Sequence, residues 1–131
     1  MQTVRRAARF VHPLAAAGVV ALVFLQVYLI AAYIFGDSGV LDSHVTVGRI
    51  VVALELLVLV TAFVGWWGQR YEIASSAALV FVGVFQALFA KDLGSSPEVH
   101  ALHGLLALAV FALAWSTFIR TRDEVRTVGA A

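Results

Sequence analysis

The hydrophobic positions of this chain gather into four long runs separated by short polar interruptions. They cover about residues 10–35, 45–67, 73–90 and 101–119. A helix needs roughly 20 apolar residues to cross a bilayer, so each run predicts a transmembrane helix, the last two near the short limit. The connections, about residues 36–43, 68–72 and 91–99, are short, and short connections favour antiparallel neighbours. Gly36-Asp37-Ser38-Gly39 and Gly94-Ser95-Ser96-Pro97 carry loop chemistry. Pro97, and Asp42 or Ser43, are start signals for the helices that follow, and Pro13 starts the first. The pattern predicts an all-α fold, a transmembrane four-helix up-down bundle forming one domain over residues 1–131.

Composition agrees. The 131 residues are 62% hydrophobic with a mean hydropathy of +0.94, and only 13% are charged. That is more apolar surface than a soluble domain of this length can hide, so lipid is the predicted partner. A net charge of +1 gives no case for nucleic acid, and the absence of cysteine removes thiolate and Fe–S chemistry. The first run follows Arg5, Arg6 and Arg9 but is too long for a signal-peptide core, and it reads as a retained helix. Arg5, Arg6, Arg9, Arg70, Arg120, Arg122 and Arg126 fall on one side of the predicted topology; Lys91 falls on the other with Asp37, Asp42, Asp92 and Glu98. The positive-inside rule then places both termini in the cytoplasm of a cell-membrane protein. Trp66, Trp67 and Tyr71 mark the inner interface, with Trp115 near it.

Against this apolar background two phrases echo one another. His44-Val45-Thr46-Val47-Gly48 opens the second run and His100-Ala101-Leu102-His103-Gly104 the fourth, and each follows a run holding one glutamine, Gln26 or Gln86. The recurrence predicts two parallel-repeat hairpins, residues 1–69 and 70–131, related by an axis along the membrane normal. Polar groups inside spans are functional-site candidates by default: Gln26, His44, Arg49, Glu55, Gln86, His100 and His103. On the second helix His44, Gly48, Val51, Glu55 and Ala62 share a stripe. Glu55 lies eleven residues past His44, about 16 Å along the axis, too deep to ligate the same metal. On the fourth helix His100, His103, Gly104, Ala107, Phe111 and Ala114 share a face.

His44 and His100 at similar depth on two helices suit a bis-histidine haem b, with His103 as the substitute for His100 and with Gly48 and Gly104 leaving room for a flat ligand. Gln26 and Gln86 are candidates to fix the imidazole tautomers, and Arg49 to meet a propionate. The same residues have plainer uses. His44 and His100 suit wetted helix starts, His103 and the glutamines interhelical hydrogen bonds, and Arg49 snorkelling to headgroups. His12, beside Pro13 at the other end, is a structural residue, and Ser75, Ser76 and Thr61 are packing groups.

The chain resembles DUF6220, a family of small four-helix bacterial and archaeal membrane proteins, over about residues 10–118. The resemblance rests on the glutamine in FLQVYLIAAYIFG, on HVTVGR, on VFQALFA and on VHALHGLL. The last phrase resembles a His-Pro-Val-Asn-Gly pattern in the family. His100 takes the family histidine's position, His103 the asparagine's, and Ala101 stands for the proline. The family supplies no activity. In outline the arrangement is also similar to duplicated four-helix b-type cytochromes such as the haem A synthase halves. Three functions are thus open. The first is a membrane cytochrome passing electrons between a quinol and a partner protein, or handling haem. The second is a non-redox accessory subunit in a homo-oligomer or larger membrane complex. The third is an outer-face metal site using His44, His100 and His103 with Asp42 or Glu98. No nucleophile–base pair, phosphate loop or carboxylate dyad is visible.

Overall fold

A computed structural model describes residues 1–91, 96–123 and 125. Asp92, Gly94, Ser95 and Arg126, and the side chain of Lys91, lie outside the described residues. Four helices follow one another: α1 (Gln2–Ile34), α2 (Leu41–Gly65), α3 (Arg70–Lys91) and α4 (Pro97–Thr121). A 3-10 turn, Ser38–Val40, leads into α2. All four helices are long and apolar enough to cross a membrane. Large apolar side chains such as Phe24, Tyr28, Ile34, Phe81 and Leu105 stand exposed along them, as a lipid solvent requires.

Helix boundaries follow local chemistry where the chain turns. Gly36, at φ 109°, adopts a conformation open to glycine and ends α1, while the Asp37 N–H donates back to the Ala32 carbonyl at 3.0 Å. The Asp37 side chain caps the 3-10 turn by accepting from the Gly39 N–H. Asp42 and Ser43, expected as the start of α2, lie inside it, because the turn feeds straight into the helix at Leu41. Ser96 caps α4 by accepting from the Val99 N–H, with Pro97 in the first turn.

Pro13 departs from expectation. It lies within α1, which begins at Gln2. A proline costs a helix one backbone hydrogen bond, but Pro13 and His12 are buried in the bundle. The packing of that face keeps the helix continuous.

The helices pack as a square. α1 meets α2 and α4, and α3 meets α2 and α4. Among the described residues the backbones of the diagonal pairs, α1 with α3 and α2 with α4, do not come into contact. Small side chains bring the neighbours close. Ala15, Ala16, Val19, Val20 and Val23 of α1 form one buried cluster with Val51 and Val58 of α2, Leu79 of α3, and Val110 and Ala114 of α4. On α2 the buried positions Val51, Glu55, Val58, Ala62 and Gly65 recur at helical spacing, and on α4 so do Val110, Ala114, Thr117 and Thr121.

The end of the bundle that carries the chain termini is tied by polar contacts. Arg9 donates to the Gly65 carbonyl at 3.0 Å, satisfying a carbonyl at the end of α2, and its guanidinium lies 5.4 Å from the Trp66 ring centre. His12 packs 4.7 Å from the same ring. Trp66 is therefore buried rather than marking an interface, while Trp67 and Tyr71 are exposed. Across α3 and α4, Arg120 pairs with Glu72 at 3.3 Å, donates to Ser75 at 3.0 Å and to Ser116, and lies 4.8 Å from the centre of the Tyr71 ring.

A candidate cofactor cavity between diagonal helices

The other end of the bundle is hollow. Because α2 and α4 do not touch, a cavity of about 670 Å³ opens between them, walled by all four helices. Gln26, His44, Gly48, Arg49, Gln86, His100, His103 and Gly104 all line it. The rest of its lining is mainly valine, alanine and isoleucine. A few polar groups in an apolar wall, at a volume between about 300 and 1,000 Å³, describe a small-molecule or cofactor site.

Two imidazoles are held by the same device. The His44 Nδ1–H donates to the Gln26 carbonyl at 3.3 Å, and the His103 Nδ1–H donates to the Gln86 carbonyl at 2.9 Å. A carbonyl only accepts, so Nδ1 carries the proton in both rings and each Nε2 keeps its lone pair. This is the arrangement of metal-binding histidines, whose second nitrogen is oriented by a backbone acceptor. The ring centres are 6.4 Å apart and the planes cross at 73°.

The ring that stands 6.4 Å from His44 is that of His103, while His100, the expected partner, also lines the cavity. His100 lies nearly one turn nearer the start of α4, where it is exposed. The geometric reason is register. The Gln86 carbonyl on α3 stands level with the fourth helix at position 103, not at 100.

The glutamines and glycines also differ in detail from expectation. The tautomers are set by the backbone carbonyls of Gln26 and Gln86, not by their side chains. The Gln26 amide instead donates to the His44 carbonyl at 2.9 Å. Gly48 makes that possible, since a Cβ there would stand 2.9 Å from the same amide nitrogen. The room at Gly48 is thus taken by Gln26, whereas Gly104 faces open space. The amide oxygens of Gln26 and Gln86 are buried without a hydrogen-bond partner and present two acceptors beside the cavity. Arg49 is exposed at the cavity's edge.

His12 and Glu55 are absent from the lining. His12 sits toward the other end, its Nδ1–H on the Val58 carbonyl at 3.0 Å. Glu55 is fully buried between the helices, behind Gly83. Sequence reasoning missed Gly83, a lining residue with no polar mark of its own, and it missed the Arg120–Glu72 pair. The signal for that pair was available: an acid in the first turn of one helix and a base in the last turn of its antiparallel neighbour.

Among the described residues no group of three or more His, Cys, Asp or Glu side chains is close enough to hold a bare ion. The cavity thus combines two opposed imidazoles with an apolar wall. No protein-family model, no curated protein and no solved structure matches the chain.

Proposed function

We propose that this protein is a small multi-pass membrane cytochrome in which His44 and His103 would hold haem b between α2 and α4. The observation that carries the reading is the 6.4 Å separation of two imidazoles, each oriented by a backbone carbonyl across an apolar cavity. Among the described residues no third side chain of the kind a bare ion needs stands with them. Haem supplies four equatorial nitrogens of its own, so two protein ligands suffice.

The chain's residues divide the work. His44 and His103 would bind the iron through Nε2, and the Gln26 and Gln86 carbonyls would hold the rings in line. Valine, isoleucine and alanine side chains would exclude water from the macrocycle, while Arg49 at the edge suits a propionate. Haem bound by two histidines supplies one-electron transfer and has no open coordination position. Electrons would pass between a quinol and a partner protein in the cell membrane. The arginines at the termini end favour a cytoplasmic placement for both termini. Membership of DUF6220 is part of the same proposal and rests on the four quoted phrases.

The test is a visible spectrum of protein purified from cells supplied with haem precursor. The expected result is a Soret band that His44→Ala or His103→Ala abolishes and His100→Ala leaves intact. A colourless wild-type protein co-purifying with a stoichiometric partner would instead support an accessory subunit.

A further inference from the structure

Among the described residues the one carboxyl in the middle of the bundle has a neighbour that gives it a use. Glu55 is fully buried on α2, and neither of its oxygens has a hydrogen-bond partner. Gly83 of α3 lies directly against it, so close that a Cβ at that position would fall on the carboxyl group. Gly83 is also part of the wall of the cavity that holds His44 and His103, and so are Val51 and Val52, one turn from Glu55 on its own helix. The carboxyl therefore lies against a residue of the cavity wall.

A carboxyl in such a place is sensitive to any charge that appears nearby, because the surrounding dielectric scarcely screens it. The other ionisable groups on the packed elements are engaged elsewhere or face away. On α1, His12 bonds the Val58 carbonyl. On α3, Glu72 is paired with Arg120 of α4. On α4, His103 faces the cavity, and on α2, Arg49 is exposed at its edge. None of them bonds a Glu55 oxygen. His44 lines the cavity as well, so a charge placed there and the His12 ring one turn away beside Val58 are the groups able to act on Glu55.

We infer that Glu55 is a redox-linked proton site: in the pH range where its carboxyl is ionised in the oxidised protein, it takes up one proton from water as the cavity site receives an electron and releases it when the electron leaves. The inference rests on the proposed haem site. Its balance is simple. A one-electron reductant of the quinol class supplies the electron, the carboxylate and the water proton form one O–H bond, and the net charge of the site is unchanged. Oxidation reverses both. Gly83 is the residue that lets the carboxyl lie against the cavity wall, since any side chain there would displace it.

The test is the midpoint potential of the purified holoprotein as a function of pH, together with its reduced-minus-oxidised infrared spectrum. The wild type is expected to show a potential that falls with pH, by up to about 59 mV per tenfold change in proton concentration for one electron, and a carboxylic-acid carbonyl band that appears on reduction. Glu55→Gln keeps the shape of the side chain and is expected to flatten the slope and remove the band. Glu55→Asp keeps the acid and is expected to retain both. A flat potential in a haem-bearing wild type overturns this inference alone, as does an unchanged slope in Glu55→Gln. A wild type without a Soret band overturns the haem site and this inference with it. Should Glu55→Gln fail to fold, the wild-type slope and the Glu55→Asp band decide the matter.

Discussion

The two hairpins use one design for their imidazoles and opposite designs one step further in. In α1–α2, His44 bonds the carbonyl of Gln26, and in α3–α4, His103 bonds the carbonyl of Gln86. Eleven residues beyond each histidine stand Glu55 in the first hairpin and Ala114 in the second, and three before each glutamine stand Val23 and Gly83. All four are buried. On one side of the bundle a glutamate fills the space a glycine leaves; on the other a valine and an alanine fill the equivalent positions with apolar volume. The comparison teaches that the imidazole frame is duplicated while the polar group beside it is not. A proposed pair of equal ligands would draw on the repeat, and a proposed single proton site on its departure from symmetry.

The sharpest way to break the comparison is at the histidines. His44→Ala and His103→Ala are expected to lower haem occupancy by similar factors, each more than about tenfold, measured by Soret absorbance per protein. A large loss from one and none from the other would show that the hairpins are not equivalent. The next test is size at the two inner positions. Gly83→Ala is expected to destabilise the bundle by about 1–3 kcal/mol or more, because the Glu55 carboxyl must move, read as a fall in denaturation midpoint in detergent. Imposing the apolar design on both sides, with Glu55→Ala and Gly83→Val together, is expected to stabilise the fold by about 1–3 kcal/mol while leaving the Soret band in place, because an unpartnered buried carboxyl is removed. Arg120→Ala should cost about 1–2 kcal/mol in the same assay, since it cuts the α3–α4 tie at the far end and leaves the cavity untouched. Gly48→Ala is the mildest, at about 1 kcal/mol, through displacement of the Gln26 amide from the His44 carbonyl.

Much of this was legible in the chain. Four apolar runs locate the four helices to within a few residues at most boundaries, because lipid-spanning length is a strong constraint. The first boundary is the exception: α1 extends to Gln2 through Pro13, since a proline buried against a neighbouring helix does not have to end its own. The eight polar and glycine candidates do meet in one cavity. What one-dimensional spacing hid was which histidine faces His44. The matching glycines suggested His100, four residues before Gly104. The distance from glutamine to histidine is 18 residues in the first hairpin and 17 to His103 in the second, and that is the spacing the helix register uses. Trp66 reads as an interface residue in sequence and is buried by Arg9 and His12, a tertiary contact that hydropathy does not encode.

The open diagonal has a consequence for the life of the protein in the cell. With the backbones of α2 and α4 apart, the cavity end is held by neighbouring-helix contacts and by the His44 and His103 rings, and an occupant would act there as a fifth packing element. Anything that binds the folded chain and not the unfolded one raises its stability by mass action. The amount of this protein that survives quality control would then follow the supply of its occupant, so that abundance itself becomes a readout of how much cofactor the membrane receives.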